Sequence, residues 1–136
     1  GIRRSQRLLL TWLIETPALF EKIEGIITAD DFVENLYHQV AQMVFDGHRE
    51  GNLNPAAILS RFINDEDQYK EVAALFNASL KESLNNEEQK KAFSETVMKV
   101  RKNSLDVASR NAKDITQLQE IIRQQAALKQ LHISLD

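Results

Sequence analysis

The side chains able to do chemistry in this 136-residue chain are scattered. Glu34 and His38 stand four apart, a spacing that puts both on one helix face and can hold a metal ion. No second pair accompanies them in sequence. His48 falls in a loop and His132 near the end, so dispersed surface histidines are the better reading. Asp30–Asp31 and Asp65–Glu66–Asp67 are carboxylate clusters. Catalytic carboxylates need desolvation and a second group at a set distance. These stand where helices begin, and acids there complement the helix dipole. Serine, histidine and aspartate are all present, but no GxSxG context surrounds a serine. GHREG, residues 47 to 51, lacks the GK[ST] ending of a phosphate loop. The absence of cysteine excludes disulfides, thiolate metal sites and a cysteine nucleophile. The expectation is a non-catalytic chain with no metal, no cofactor and no small-molecule ligand.

Lys90, Lys91, Lys99, Arg101 and Lys102 spread positive charge along one predicted helix. A nucleic-acid surface would interleave such residues with stacking aromatics. Only Phe93 lies nearby, at a core-like position, so a solvated basic helix is favoured over direct nucleic-acid binding. Asn77–Ala78–Ser79 is a formal glycosylation acceptor inside a predicted helix and is read as chance.

The elements that carry these residues read as helical throughout. Hydrophobic residues make up 43% and charged residues 27%, as in soluble globular proteins. Only 4 Gly and 2 Pro interrupt a composition rich in strong helix formers. The run LLLTWLI, residues 8 to 14, is too short to span a bilayer. Arg3, Arg4 and Arg7 before it imitate a signal peptide, but Glu15 follows at once without a small-residue cleavage site. The chain is expected to be soluble and cytoplasmic, and cut from within a longer protein, because the helical pattern is already running at Ile2. Residues 1 to 86 carry 8 basic against 13 acidic side chains, a balance of −5, and residues 87 to 136 carry 9 against 7, a balance of +2. Neither half is basic enough to bind a polyanion by charge alone.

Periodicity places a first helix from Arg3 to Glu15, with Leu8, Leu9, Trp12 and Leu13 on its apolar stripe. Thr16 and Pro17 make an N-cap and first-turn proline for a short helix ending near Gly25. Thr28 to Asp31 open a longer helix with Phe32, Leu36, Val40 and Val44 at helical spacing, stopping at the glycines of GHREGN. Asn54–Pro55 start the next, with Ala57, Ile58, Phe62 and Ile63 apolar, broken at Asn64–Asp65. A further helix carries Tyr69, Val72, Leu75 and Phe76 and ends near Ala78 or Leu80.

The texture changes at Asn85–Asn86. Asn86 and Gln89 resemble a capping box, and a helix from about 87 to about 110 would reach roughly 35 Å. NSLDVASR, residues 103 to 110, holds the polar residues where that helix is open to a break. Asp114 and Gln117 cap a last helix. One of its apolar rows, Ile115, Leu118 and Ile122 with Gln125 beyond, is expected to face the long helix. The other, Ile121, Leu128 and Leu131, has no obvious partner within the chain. Either that row folds back and closes on the bundle, or it is an interaction surface. The fold class is thus all-α: a compact helical bundle over 1–85, joined by a long helix to a C-terminal helical hairpin within 86–136.

Two stretches, RRSQRLLLTWLIETPALFEKI and ITADDFVENLYHQVAQMVFDGHREGNLNPAAILSRF, resemble two bacterial replication modules of shared fold. One is the N-terminal domain of the replicative hexameric helicase. The other is the C-terminal helicase-binding domain of DnaG-type DNA primase. The likeness lies in an arginine-led helix with leucines, Pro17 at a tight junction, Asp31–Phe32, Tyr37–His38 and a Gly-bounded loop into a Pro-initiated helix. The long helix and the ending QEIIRQQAALKQLHISLD are similar to the primase version. That resemblance implies docking of the hairpin on the N-terminal domains of the helicase, recruitment of primase to the replication fork, and helicase stimulation by the compact part. It also implies that zinc binding and primer synthesis belong to other domains of such a primase. On it, Ile121, Ile122, Gln125, Leu128 and Leu131 are the expected partner-binding residues, with Lys129 at the rim, in a chain monomeric by itself. The same fold leaves open the self-associating collar domain of the helicase, and a DNA-binding accessory domain is the alternative from another class.

Overall fold

The computed structural model describes residues 1–78 and 84–135. Within them the fold is all-α: seven α-helices and two short 3-10 turns, with no strand among the described residues. The helices are α1 (Ile2–Glu15), α2 (Phe20–Ile23), α3 (Asn35–Arg49), α4 (Pro55–Ser60), α5 (Glu66–Asn77), α6 (Asn86–Arg110) and α7 (Ile115–Lys129).

α1 is the central element because its apolar face is wide. Leu9, Leu10 and Leu13 are fully buried and Trp12 nearly so, in contact with α3, α5 and, most extensively, α6. The Trp12 ring meets Phe93 of α6 edge to face at 6.1 Å, the geometry that aromatic quadrupoles favour. α6 contributes Phe93, Val97 and Val100 to the same core as Leu36, Tyr37, Val40 and Val44 of α3. The core therefore does not stop at residue 85, and the first half of α6 completes the bundle rather than standing beside it.

Several junctions differ from the sequence expectation. Thr28 and Asp31 do form a reciprocal capping box, but it closes only the 3-10 turn Ala29–Asp31. Phe32 is extended, and α3 starts afresh at Asn35. The reason is tertiary. Phe32 turns inward to meet Phe45 at 5.9 Å, and the amide of Glu34 donates to the buried Gln6 side chain at 3.0 Å. Gly47 lies inside α3 rather than ending it. A Cβ there would come within 3.2 Å of the Leu53 backbone, so glycine lets the following loop fold back closely. Gly51, at φ +69°, makes the turn after α3. Thr16 precedes a 3-10 turn with Pro17 at its start, yet its hydroxyl caps nothing. Ile63 is 68% exposed and lies outside the core, because α4 ends at Ser60 and Asp65 begins α5. The cap of α6 is Asn85 paired with Glu88, one residue earlier than Asn86 with Gln89. The expected end of the fifth helix at Leu80 and the Ser79 of the glycosylation acceptor lie outside the described residues; α5 ends at Asn77.

α6 is continuous over 25 residues, roughly 37 Å at 1.5 Å per residue. The polar residues in its last turns do not break it, and two of them bond neighbouring elements. The Ser104 hydroxyl donates to Asp31 at 2.7 Å, and Asp106 accepts from Lys102 at 3.0 Å and from Gln125 at 3.2 Å.

A polar cluster ties α1, α3 and α5 together. Arg3 bonds both Glu34 and Glu71, and its guanidinium lies 5.1 Å from the centre of the Tyr37 ring. The fully buried Tyr37 donates its hydroxyl to Glu71 at 2.5 Å. Burial and then that bond push the Tyr37 pKa up to about 12. Burial pushes the Glu71 carboxyl upward, but the bonds from Tyr37 and Arg3 outweigh it and hold it below its ordinary value.

Two outcomes follow. Phe93→Ala should cost about 3–5 kcal/mol in denaturant unfolding, since the cavity opens against Trp12. A raised folded-state pKa means that the neutral phenol is the form the fold retains. The contribution of Tyr37 is therefore complete below about pH 10 and is lost as pH rises toward about 12. In a Tyr69→Phe variant, where Tyr37 is the one remaining tyrosine, tyrosinate absorbance should rise near pH 12 and denaturant stability should fall over the same interval.

Candidate protein-interaction surface

Several of the histidines and carboxylates that invited chemistry are engaged within the fold. Glu34 precedes the first turn of α3 and pairs with Arg3 at 2.8 Å. His38 Nδ1 lies 3.0 Å from the Ala29 carbonyl, and His48 stacks on Phe20 at 4.0 Å. Among the described residues no three His, Asp or Glu side chains converge as a metal site. Asp65 caps α5 through the Gln68 amide at 3.0 Å. Asp31 is 4% exposed. Its carboxylate accepts from the Thr28 amide at 2.8 Å, from Arg101 at 2.7 Å and from Ser104 at 2.7 Å. Within the basic row of α6, Arg101 is thus a structural partner, Lys102 pairs with Asp106 and Lys90 pairs with Glu87.

Arg101 reaches α7 as well, donating to Gln124 at 2.9 Å. One guanidinium therefore joins the Ala29–Asp31 turn, α6 and α7. α7 itself is built by local rules. The Asp114 side chain accepts from the Gln117 amide at 2.8 Å, and Gln117 accepts from the Lys113 amide at 3.0 Å. Glu120 takes a two-pronged bond from Arg123 and one from Gln124, which draw its pKa down to about 2. The helix returns along α6, and none of its residues is buried.

The two apolar rows of α7 are exchanged relative to the sequence expectation. Ile121, Leu128 and Leu131 are half-buried, on the same side as Gln124 and Gln125, which bond α6. Leu128 and Leu131 line a cleft with Gly25, Ile26 and Arg101. Leu131 lies just beyond the end of the helix. The row expected to face α6 is the outward one: Ile115 is 72%, Leu118 37% and Ile122 52% exposed. The physical reason is the polar register. Arg101 and Asp106 of α6 bond Gln124 and Gln125, which lie on the same side of α7 as Ile121 and Leu128. Of the residues expected to bind a partner, Ile122 and Lys129 are exposed, while Ile121, Gln125, Leu128 and Leu131 are half-buried on or beside α6. Ile115 and Leu118 complete the outward row, and their helical spacing with Ile122 was present in the sequence.

No helix among the described residues is long and apolar enough to cross a membrane. Comparison with protein-family models, with curated proteins and with solved structures gives no match.

Asp31→Ala should lower unfolding stability by about 3 kcal/mol, because it removes the buried carboxylate that Arg101 and Ser104 both bond. Leu128→Asp should loosen α7 from α6, seen as faster amide exchange over 115–129. Ile122→Asp should leave that exchange within about twofold of the parent chain, since the substitution faces water.

Proposed function

We propose that this chain is a non-catalytic protein-interaction domain that docks on a replicative hexameric helicase and brings a DNA primase to it. The observation that carries the reading is the outward face of α7. Three large aliphatic side chains, Ile115, Leu118 and Ile122, recur at helical spacing on the exposed side of α7. A contiguous exposed row of this kind marks a helix-in-groove contact. The resemblance of the sequence to the primase helicase-binding domain supplies the partner. On this reading Leu118 and Ile122 are the anchors and Lys129 is a rim charge that tunes association rate and salt dependence. Ile121, Leu128 and Leu131 hold α7 in position. The bundle built by α1 to α5 presents the hairpin and modulates the helicase.

The test is size-exclusion chromatography with light scattering, on the chain alone and mixed with the replicative helicase of the same organism. A monomer that comigrates with the helicase is expected. Leu118→Asp and Ile122→Asp should each weaken the complex by about 2 kcal/mol, roughly thirty-fold, with helicity intact. Self-association without helicase binding would instead make the chain a collar domain. Salt-sensitive binding to DNA alone would make it a DNA-binding accessory domain.

A further inference from the structure

We propose that residues 131–135 form a displaceable strap that covers a slot between α1 and the start of α6. Beyond the end of α7 the chain runs without helix, and its exposure alternates. Leu131, Ile133 and Leu135 are half-buried while His132 and Ser134 are exposed. A period of two is the signature of an extended segment laid on a surface. Ile133 and Leu135 pack against the main core, and Leu135 lines the slot with Trp12, Thr16, Leu19, Gln89 and Phe93.

Three features make this contact removable. First, among the described residues no backbone hydrogen bond joins 132–135 to another element. Second, the slot is incompletely filled: about 160 Å³ of space remains beside Leu135. Third, the Thr16 hydroxyl in its lining is buried without a hydrogen-bond partner, a polar cost that the seated strap leaves standing. Segments held by few apolar contacts and no backbone bonds open locally while the rest of a fold stays closed. The strap also follows directly from α7, so a shift of α7 off α6 draws it from the slot. The packing of Trp12 and Phe93 is thereby coupled to the position of α7.

Trp12 is the single tryptophan and is 4% exposed, so its fluorescence reports the slot. In an Ile133→Ser/Leu135→Ser chain, acrylamide quenching of Trp12 should rise about twofold or more with far-ultraviolet dichroism unchanged. A synthetic peptide of residues 128–135 should restore the parent value. Unchanged quenching, or no response to the peptide, would overturn the proposal. So would a loss of helicity in the variant, since the segment would then be an indispensable part of the core. The unmodified chain gives an independent check. The methyl groups of Ile133 and Leu135 should show microsecond-to-millisecond exchange in relaxation dispersion while those of Leu9 and Val97 do not, and flat profiles for Ile133 and Leu135 would contradict a strap.

Discussion

The packing of α6 on α1 is the contact on which the remaining structure depends. α6 is too sparsely apolar to stand alone, and most helical stability comes from burying one face. Its Phe93, Val97 and Val100 find that burial against α1, with Trp12 closing over Phe93. Once this face is seated, the rest of α6 projects past the Ala29–Asp31 turn and offers Arg101 and Ser104 to the buried Asp31. The orientation of α6 is then determined twice, by an apolar contact at one end and a polar one further along.

The polar contact also sets the rotation of α7. Arg101 has donors left after bonding Asp31, and Gln124 takes one of them. Asp106 takes Gln125. These bonds bring Ile121 and Leu128 against α6 and leave Ile115, Leu118 and Ile122 facing water. The polar bonds and the half-buried row thus lie on one side of α7. The outcome is an aliphatic row on α7 that faces water.

Much of the fold was legible from the residues. Periodicity located α1, α5, α6 and α7, and Asn54, Asp65 and Asp114 marked three helix starts through side chains that do accept from the helix amides. What escaped was tertiary. The break at Phe32 comes from a ring that leaves the helical path to meet Phe45, and from Gln6, distant in sequence, taking the Glu34 amide. Gly47 looked like a stop, but the nearby Leu53 backbone explains why glycine stands inside a helix. The exchange of rows on α7 was invisible for the same reason. Both rows have helical spacing, and the choice rests on Arg101 and Asp106, whose direction on α6 requires the fold. The helix α7 was thus readable from sequence, but its outward face was not.

The central claim is that α7 meets its partner with the row that points away from α6. Amide hydrogen exchange followed by mass spectrometry, on the chain alone and saturated with the replicative helicase, addresses it directly. Protection gained over 113–130, with α1 and α3 unchanged, is the predicted result. Protection confined to the bundle of α1 to α5, or none on α7, would contradict it.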